Sequence, residues 1–335
     1  MRKVIMDMRW EGSGGIGTFA KEINKINKYE ASDFKGKPYS PLDSFKMAFE
    51  LLKNRRSYSN KIIFFPGYIP PVFSITPYVF TIHDLNHLDR PENSSFIKRL
   101  FYDYVIKRGC KKAELIFTVS EFSKERIAEW SGEMPSKIIN VGNGVSSSFT
   151  PNGNKKQFGF NYILCVSNRK KHKNEFETLR AYKQSGLYSK MKLVFTGKPD
   201  EDILVYINEM ALTEYVHFTG FLPDNELPEL YRGASGVVFV SLYEGFGLPV
   251  IEAMASGVPV VTSNTTSLRE VAGKAALLVD PTNTNEIALA LIKIVNDDLF
   301  RNELIKLGLE QAKKYSWTNV AKNINEHLIK HVGKV

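Results

Sequence analysis

Short apolar runs recur along the chain, and each of them ends in small or polar residues. In the first half these runs lie at residues 4–8, 61–65, 78–82 and 115–119. Segments with the helical period of apolar residues lie among them, at residues 17–27, 96–107 and 123–130. Alternation of strands and helices is typical of a parallel sheet that is covered on both faces. The first half is therefore predicted to be an α/β domain.

A second series of the same kind follows a stretch rich in glycine, serine and asparagine at residues 140–157. Its predicted strands lie at residues 162–166, 192–196, 216–219, 236–242, 259–262 and 276–279, and its predicted helices at residues 174–184, 226–233, 249–256 and 285–297. A chain of 335 residues exceeds what one hydrophobic core usually serves. We therefore expect two doubly wound α/β domains, with a boundary near residue 155.

The composition, with 43% apolar and 24% charged residues, is that of an ordinary globular protein. The net charge of +9 lies almost entirely in residues 1–155, which hold 24 Lys and Arg against 16 Asp and Glu. A basic surface of this kind attracts anionic lipid head groups or phosphate-bearing acceptors. Nucleic acid is not expected as a partner, because no common nucleic-acid-binding motif accompanies the charge. A solvated surface without a partner is the alternative.

The cellular location follows from what the sequence lacks. Cys110 and Cys165 have no metal-ligand spacing and are expected to be reduced thiols. The amino terminus reaches Asp7 after three apolar residues, which is unlike a signal peptide. No apolar run approaches the roughly 18 residues of a spanning helix. The sequence predicts a cytoplasmic protein that is at most peripheral on a membrane.

A glycine-rich loop, Gly12-Ser13-Gly14-Gly15-Ile16-Gly17, follows the first predicted strand and precedes a helix. Small residues at a helix N-terminus let backbone N–H groups approach a phosphate, so Gly14, Gly15 and Gly17 are predicted to bind one. The spacing is also that of the dinucleotide fingerprint, which leaves an NAD-dependent oxidoreductase as an alternative. Such a site needs a second strand that ends in an acid, and residues 29–41 show no apolar strand. A merely tight turn is the remaining possibility.

The segment at residues 237–252 carries the strongest motif of the chain. Its predicted strand delivers Glu244 to the carboxyl end of the second sheet, where open α/β sheets bind ligands. A glycine turn follows, and a helix is predicted to begin at Pro249, with Glu252 in its first turn. The backbone N–H groups of Phe246, Gly247 and Leu248 are thus predicted to face an anion. The Glu252 carboxylate is suited to accept hydrogen bonds from vicinal sugar hydroxyls.

These residues resemble a known family. Glu244 and Glu252 match the E-x7-E motif of the large group of retaining glycosyltransferases called family 4, and residues 244–263 are similar to it over their whole length. Four further segments resemble the family in order along the chain: Gly14-Gly15-Ile16-Gly17, Thr81-Ile82-His83-Asp84, residues 118–123, and Ser316-Trp317.

The resemblance implies a GT-B fold, with two Rossmann-like domains facing across a cleft. Residues 1–155 would bind the acceptor, residues 156–315 would bind the nucleotide-sugar donor, and residues 316–335 would form a helix that returns to the first domain. Glu252 would bind the ribose, and Glu244 would face the donor sugar. His83 would lie beside the anomeric carbon, acting through its carbonyl or its ring, unless it is a core histidine that caps a strand.

A basic run at residues 167–174 follows the first strand of the second domain. In the family a cation pair at this place holds the diphosphate, and fixed cations stabilise the charge of the departing group. Lys173 fits the lysine of that pair. Arg169 lies one place later than the arginine of many members, so Lys170 is a possible substitute. The resemblance implies retention of anomeric configuration by front-face departure, with no cofactor and no essential metal ion.

Donor and acceptor are expected from the same resemblance. The basic run is similar to that of polysaccharide mannosyl- and deoxysugar transferases, which favours GDP-mannose; UDP-glucose, UDP-N-acetylglucosamine and dTDP-rhamnose are alternatives. The expected acceptor is a lipid-linked oligosaccharide of O-antigen or capsule synthesis, at the anionic inner face of the cytoplasmic membrane. An apolar stretch at residues 68–73 is predicted to be exposed and to assist docking. A sugar-nucleotide-binding protein without transferase activity is a further alternative.

Overall fold

The computed structural model describes residues 3–12, 14–223 and 225–332, so Ser13 of the glycine-rich loop lies outside the described residues. The chain divides into two compact units: Met1–Gly144 with Trp317–Val335, and Val145–Ser316. Each unit is a parallel sheet with helices along it, which confirms the α/β class and the two Rossmann-like folds.

In the first unit the strand order is β2-β1-β3-β4-β5-β6, and all neighbours are parallel. The strands are β1 (Lys3–Met6), β2 (Glu30–Ala31), β3 (Lys61–Phe65), β4 (Tyr78–Thr81), β5 (Leu115–Thr118) and β6 (Ile138–Asn140). The helices are α1 (Gly14–Asn27), α2 (Asp43–Lys53), α3 (Asn86–Asp89), α4 (Phe96–Phe101), α5 (Lys107–Lys112), α6 (Glu121–Ser131) and, from the end of the chain, α14 (Trp317–Val332). A π-helical turn, Tyr102–Ile106, joins α4 to α5.

One core cluster of this unit lies between the sheet and a single helix layer. Ile63 and Phe80 of the sheet belong to it together with Leu51 of α2, Ile106 before α5 and Ile127 of α6. These helices therefore cover the same face of the sheet.

The chain's last helix belongs to the first unit. Asn27 Nδ2 donates to the carbonyl of Ala321 at 2.9 Å, and Tyr29 OH donates to Asn325 Oδ1 at 3.1 Å, so α14 packs beside α1. Gly144 lies so close to Trp317 that a Cβ would come within 2.4 Å of its nitrogen. The predicted return of the final helix is thus confirmed.

In the second unit the strand order is β12-β11-β10-β7-β8-β9, again all parallel. The strands are β7 (Tyr162–Cys165), β8 (Lys192–Phe195), β9 (Val216–Phe218), β10 (Gly236–Phe239), β11 (Val260–Ser263) and β12 (Leu277–Val279). The helices are α7 (Glu175–Ser185), α8 (Glu201–Glu209), α9 (Leu227–Gly233), α10 (Leu248–Ala255), α11 (Thr266–Ala272), α12 (Thr284–Asn296) and α13 (Asp298–Ala312). The central strands β7 and β10 are buried along their whole length, as parallel strands covered on both faces must be.

Three local expectations were wrong. Helix α1 begins at Gly14 rather than Gly17, because its first turn contains glycines that conceal the helical pattern. Helix α10 begins at Leu248, so Glu252 lies at the start of its second turn. The turn-rich stretch at residues 29–41 does contain a strand, the two-residue β2, which pairs with β1 although both of its residues are exposed.

Both cysteines are buried. Cys110 is 0% exposed and Cys165 is 2% exposed. Burial raises the pKa of the Cys110 thiol to about 12 and raises that of Cys165 further. Both side chains therefore act as small apolar core residues.

Candidate active site

The turn between β10 and α10 presents backbone N–H groups at a helix N-terminus. Gly247 has φ +105°, and a Cβ there would lie 2.4 Å from Leu268 Cδ2, so conformation and space both require glycine. Among the residues that the structure describes, none accepts a hydrogen bond from the N–H groups of Phe246, Gly247 or Leu248. With the dipole of α10 behind them, these groups form a site suited to an anion.

Helix α11 holds this turn in place. Ser267 Oγ lies 2.8 Å from the carbonyl oxygen of Glu244 and 3.0 Å from that of Phe246. The Glu244 N–H donates to Thr266 Oγ1 at 3.4 Å. Sequence reasoning missed both residues; the available signal was a run of threonines and a serine directly after the apolar strand β11, where hydroxyl side chains favour turns and helix caps.

Glu252 is oriented by a buried tyrosine that sequence reasoning also missed. Tyr231 OH donates to Glu252 Oε2 at 2.8 Å. Burial, followed by the negative charge of Glu252, raises the pKa of Tyr231 far above its ordinary value. The phenol therefore stays protonated and remains a donor. This hydrogen bond from a buried side chain fixes the orientation of the Glu252 carboxylate.

Lys173 and Glu244 form an ion pair, with Nζ 2.6 Å from Oε1 and side chains that are 15% and 14% exposed. The loop that carries Lys173 is bonded to its neighbours on both sides: Asn174 Nδ2 donates to the carbonyls of Val240 and Pro281 at 3.0 and 2.7 Å. Lys173 Nζ also lies 4.9 Å from the ring centroid of Phe239. The structure thus brings together one cation and one carboxylate of the predicted site.

Arg169 faces a different carboxylate. Its Nη1 lies 3.0 Å from Glu175 Oε1, and its Nη2 donates to the carbonyl of Thr196 at 2.5 Å. The guanidinium lies 5.1 and 5.3 Å from the ring centroids of Phe195 and Phe218. Burial raises the pKa of Glu175. Arg169 and Lys173 are therefore held by different carboxylates.

The neighbouring Lys170, the possible substitute for Arg169, is exposed. Its side chain is consequently available to a ligand, whereas the Arg169 side chain is only 12% exposed.

In the first unit, Gly14 and Gly15 occupy the first turn of α1, where N–H groups have no partner within the helix. A Cβ on either would meet open space, whereas one on Gly17 would lie 2.4 Å from the carbonyl oxygen of Trp10. Gly17 is thus required for close packing. Gly14 and Gly15 are the two glycines placed to approach an anion.

His83 follows β4, and the neighbouring helix α6 bonds to its backbone. Ser123 Oγ donates to the His83 carbonyl at 3.2 Å. His83 Nε2 donates to the carbonyl of Pro66 at 2.9 Å, which places the proton of the neutral ring on Nε2. Burial lowers the pKa of His83, so the ring is neutral near pH 7. Phe19 packs edge-on at 5.1 Å between ring centroids.

Comparison with known proteins decides the family. A family model described as "Glycosyl transferases group 1" matches residues 148–311, and one described as "Glycosyltransferase Family 4" matches residues 19–149. The O-antigen chain mannosyltransferase B of Escherichia coli is 32% identical over 278 residues, which cover 79% of this chain and 73% of that protein. The chain belongs to glycosyltransferase family 4. Its catalytic activity is therefore glycosyl transfer, not nicotinamide-dependent oxidation.

Two further proteins are similar to the glycosyltransferase. The O-antigen chain mannosyltransferase RfbU of Salmonella typhimurium is 31% identical over 204 residues, which cover 60% of this chain and 56% of that protein. Sucrose-phosphate synthase from Thermosynechococcus elongatus superposes with a TM-score of 0.82 at 16% identity over the whole of both chains. The latter likeness shows the fold alone.

A literal Asp-x-Asp triplet occurs at Asp200-Glu201-Asp202 in the glycosyltransferase. Asp200 caps helix α8, because its Oδ1 accepts the N–H of Ile203 at 3.0 Å. Within residues 3–12, 14–223 and 225–332, no group of three or more His, Cys, Asp or Glu is arranged to hold a metal ion. The structure therefore assigns Asp200 a role as the N-cap of α8.

The predicted exposure of residues 68–73 in the glycosyltransferase was mostly wrong. Ile69, Pro70 and Pro71 are buried, because Pro70 packs against Gly109 and its carbonyl accepts from Ser44. Only Phe73 is exposed. In the part of the chain that the structure describes, no helix is both long enough and apolar enough to span a bilayer.

Proposed function

We propose that the glycosyltransferase moves a mannosyl residue from GDP-mannose to a lipid-linked oligosaccharide in O-antigen synthesis. The observation that carries the proposal is the set of groups around the N-terminus of α10: the turn N–H groups, the oriented Glu252 and the Lys173–Glu244 pair. The two mannosyltransferases to which the chain is similar support mannose as the sugar.

Each group has a role that follows from its chemistry. The Glu252 carboxylate accepts hydrogen bonds from the two ribose hydroxyls, while Tyr231 keeps it in place. The N–H groups of the turn and the Lys173 ammonium bind the diphosphate, whose charge grows as the bond to the sugar breaks. Glu244 then exchanges its bond to Lys173 for bonds to the sugar hydroxyls.

The transfer proceeds on one face of the sugar, with retention. The bond between the anomeric carbon and the diphosphate oxygen breaks while the acceptor oxygen bonds to the same carbon. The acceptor proton passes to the departing diphosphate oxygen, so a covalent enzyme intermediate of the type found in retaining glycosidases is not needed. Since a lysine and a helix N-terminus meet the diphosphate charge, the reaction requires no divalent cation.

The first unit supplies the acceptor side. The first turn of α1, with Gly14 and Gly15, binds a phosphate of the lipid-linked acceptor or of the donor. The neutral ring and the carbonyl of His83 lie beside the anomeric carbon during transfer. The protein works in the cytoplasm and associates peripherally with the anionic inner face of the cytoplasmic membrane.

Thermal unfolding in the presence of GDP, UDP, dTDP, ADP and NAD tests the donor. A ligand at a hundred times its dissociation constant stabilises the folded state by about 2.7 kcal/mol. We expect stabilisation by GDP alone, lost in Glu252→Ala and kept in Glu310→Gln, an exposed carboxylate of α13. Stabilisation by UDP or dTDP instead would show that the donor carries a base other than guanine. Stabilisation by NAD alone would overturn the proposal.

Turnover distinguishes a transferase from a protein that only binds the sugar nucleotide. Radiolabelled mannose should pass from GDP-mannose into a lipid-extractable product, at the same rate with and without EDTA. A tightly bound donor with no product would favour the binding protein, and a rate abolished by EDTA would refute the metal-independent mechanism.

A further inference from the structure

The outward side of the helix layer in the first unit exposes large apolar side chains. On α2, Phe45 is 58% exposed and Phe49 is 67% exposed; Leu52 of this helix and Leu42, which directly precedes it, are also exposed. The opposite side of α2 carries Met47 and Leu51 into the core. The helix thus carries apolar side chains on two sides, one packed in the core cluster and the other exposed.

The continuous helix at residues 96–112 repeats this arrangement. Phe96 and Ile97 are each 75% exposed, and Tyr104 is also exposed. Its buried side, with Tyr102 and Ile106, belongs to the same core cluster as the buried side of α2. The exposed sides of both helices therefore point away from the same face of the sheet.

The buried residues 69–71 connect the two helices. The Ser44 hydroxyl of α2 donates to the Pro70 carbonyl, and the Pro70 ring packs against Gly109 of α5. Phe73 emerges beyond this contact, with Lys112 Nζ 5.7 Å from its ring centroid. We call the exposed side chains of α2, of Phe73 and of residues 96–112 the basic–aromatic face.

Cations alternate with the apolar side chains on this face. Residues 96–112 contain six Lys and Arg and one acid, Asp103. Residues 42–56 contain four Lys and Arg and two acids, of which Asp43 is buried and paired with Arg9. Exposed Arg55 and Arg56 extend the positive charge beyond the end of α2.

We propose that the basic–aromatic face docks on an anionic bilayer, with its aromatic and aliphatic side chains between the lipid head groups and its cations on the phosphates. Interfacial amphipathic helices combine large apolar side chains with flanking Lys and Arg in this way. A protein partner fits less well, because the cores of protein interfaces are depleted in lysine. This inference rests on the proposed function, which places the acceptor in the membrane. It goes further by assigning the surface of the protein that contacts that membrane.

Sedimentation with vesicles tests the face directly. Wild-type protein should bind vesicles of phosphatidylethanolamine and phosphatidylglycerol and should not bind vesicles of phosphatidylcholine alone. Phe45→Ser with Phe49→Ser should weaken binding about a hundredfold, since each buried phenylalanine is worth about tenfold. Arg55→Ala with Arg56→Ala should weaken it about fivefold for each charge, and this difference should vanish in about 0.5 M salt.

The matched control is Leu299→Ser, because Leu299 is 85% exposed but lies on α13 of the second unit. It should bind vesicles as the wild type does. A second pair, Phe96→Ser with Ile97→Ser, removes the apolar side chains of the other helix and should weaken binding to a similar extent. Equal binding by both pairs and by the control would overturn the assignment. A wild-type dimer in sedimentation velocity that becomes monomeric in Phe45→Ser with Phe49→Ser would also overturn it, in favour of a protein interface.

Nucleotide stabilisation of the same samples separates this inference from the proposed function. The face variants should keep the wild-type response to GDP. If no nucleotide stabilises the wild type but anionic vesicles bind it through this face, the proposed donor fails and the docking surface stands. If GDP stabilises every variant and none of the substitutions changes vesicle binding, the docking surface alone fails.

Discussion

Replacing Glu244 by glutamine should make the glycosyltransferase bind free GDP more tightly while it transfers sugar more slowly. In the structure, the Glu244 carboxylate lies 2.6 Å from Lys173 Nζ and neutralises it. A diphosphate must displace this carboxylate before it can use the ammonium. Glutamine has nearly the same shape but no charge, so the variant presents Lys173 to the diphosphate without that competition.

The expected size follows from the geometry of the pair. At 2.6 Å and an effective dielectric constant of about 20, the attraction is roughly 6 kcal/mol. Desolvation of two mostly buried groups offsets most of it. A net loss of about 1.4 kcal/mol in the competing interaction corresponds to about tenfold tighter GDP binding. Transfer from GDP-mannose should fall, because Glu244 no longer offers a carboxylate to the sugar.

Isothermal titration calorimetry with GDP at constant ionic strength measures the change. Glu310→Gln is the matched control. Glu310 lies 2.6 Å from its partner Lys313, but these two side chains are 65% and 69% exposed. The affinity of this variant for GDP should therefore equal that of the wild type. Unchanged or weaker GDP binding by Glu244→Gln would refute the argument that the carboxylate and the diphosphate compete for Lys173.

Three further predictions concern single side chains. Tyr231→Phe should raise the dissociation constant for GDP about tenfold with the fold intact by circular dichroism, since a charge-assisted hydrogen bond is lost; unchanged affinity would contradict it. Arg9→Met should cost about 3–5 kcal/mol in urea unfolding, because it leaves Asp7 and Asp43, each 1% exposed and 2.8 Å away, without their cation; a cost below about 1 kcal/mol would contradict it. Wild-type stability should fall as the pH drops below 6.5, because the unfolded chain binds a proton that buried His83 resists; His83→Gln should show a shallower fall, and equal slopes would contradict it.

The strands were predictable because buried parallel strands are continuous apolar runs. β3 was predicted with its observed bounds, and the predicted β4 and β5 extend only one residue beyond them. Helix α2 was not predicted, although its charged residues Asp43, Lys46, Glu50 and Lys53 recur at helical spacing. β2 was missed because two exposed residues carry no apolar signal.

The candidate site was predictable as far as local chemistry reaches. The glycines and the proline after β10 predict the turn and the helix that follow it. The partners of the charged groups depend on how the chain packs. Tyr231 and Glu252 lie on different helices, and Arg169, whose own φ is +62°, pairs with Glu175 at the start of α7. The periodicity of the sequence does not predict such contacts between side chains.

Because Cys110 and Cys165 are buried, the protein is well suited to site-directed labelling at an introduced cysteine. Thiol reagents attack the thiolate, and these two thiols are both inaccessible and held in the neutral form. A single cysteine introduced at Phe49 or at Leu299 should therefore take up a maleimide fluorophore without prior removal of the native thiols. The emission of an environment-sensitive dye at each position would then report, residue by residue, which side of the molecule leaves water when vesicles are added.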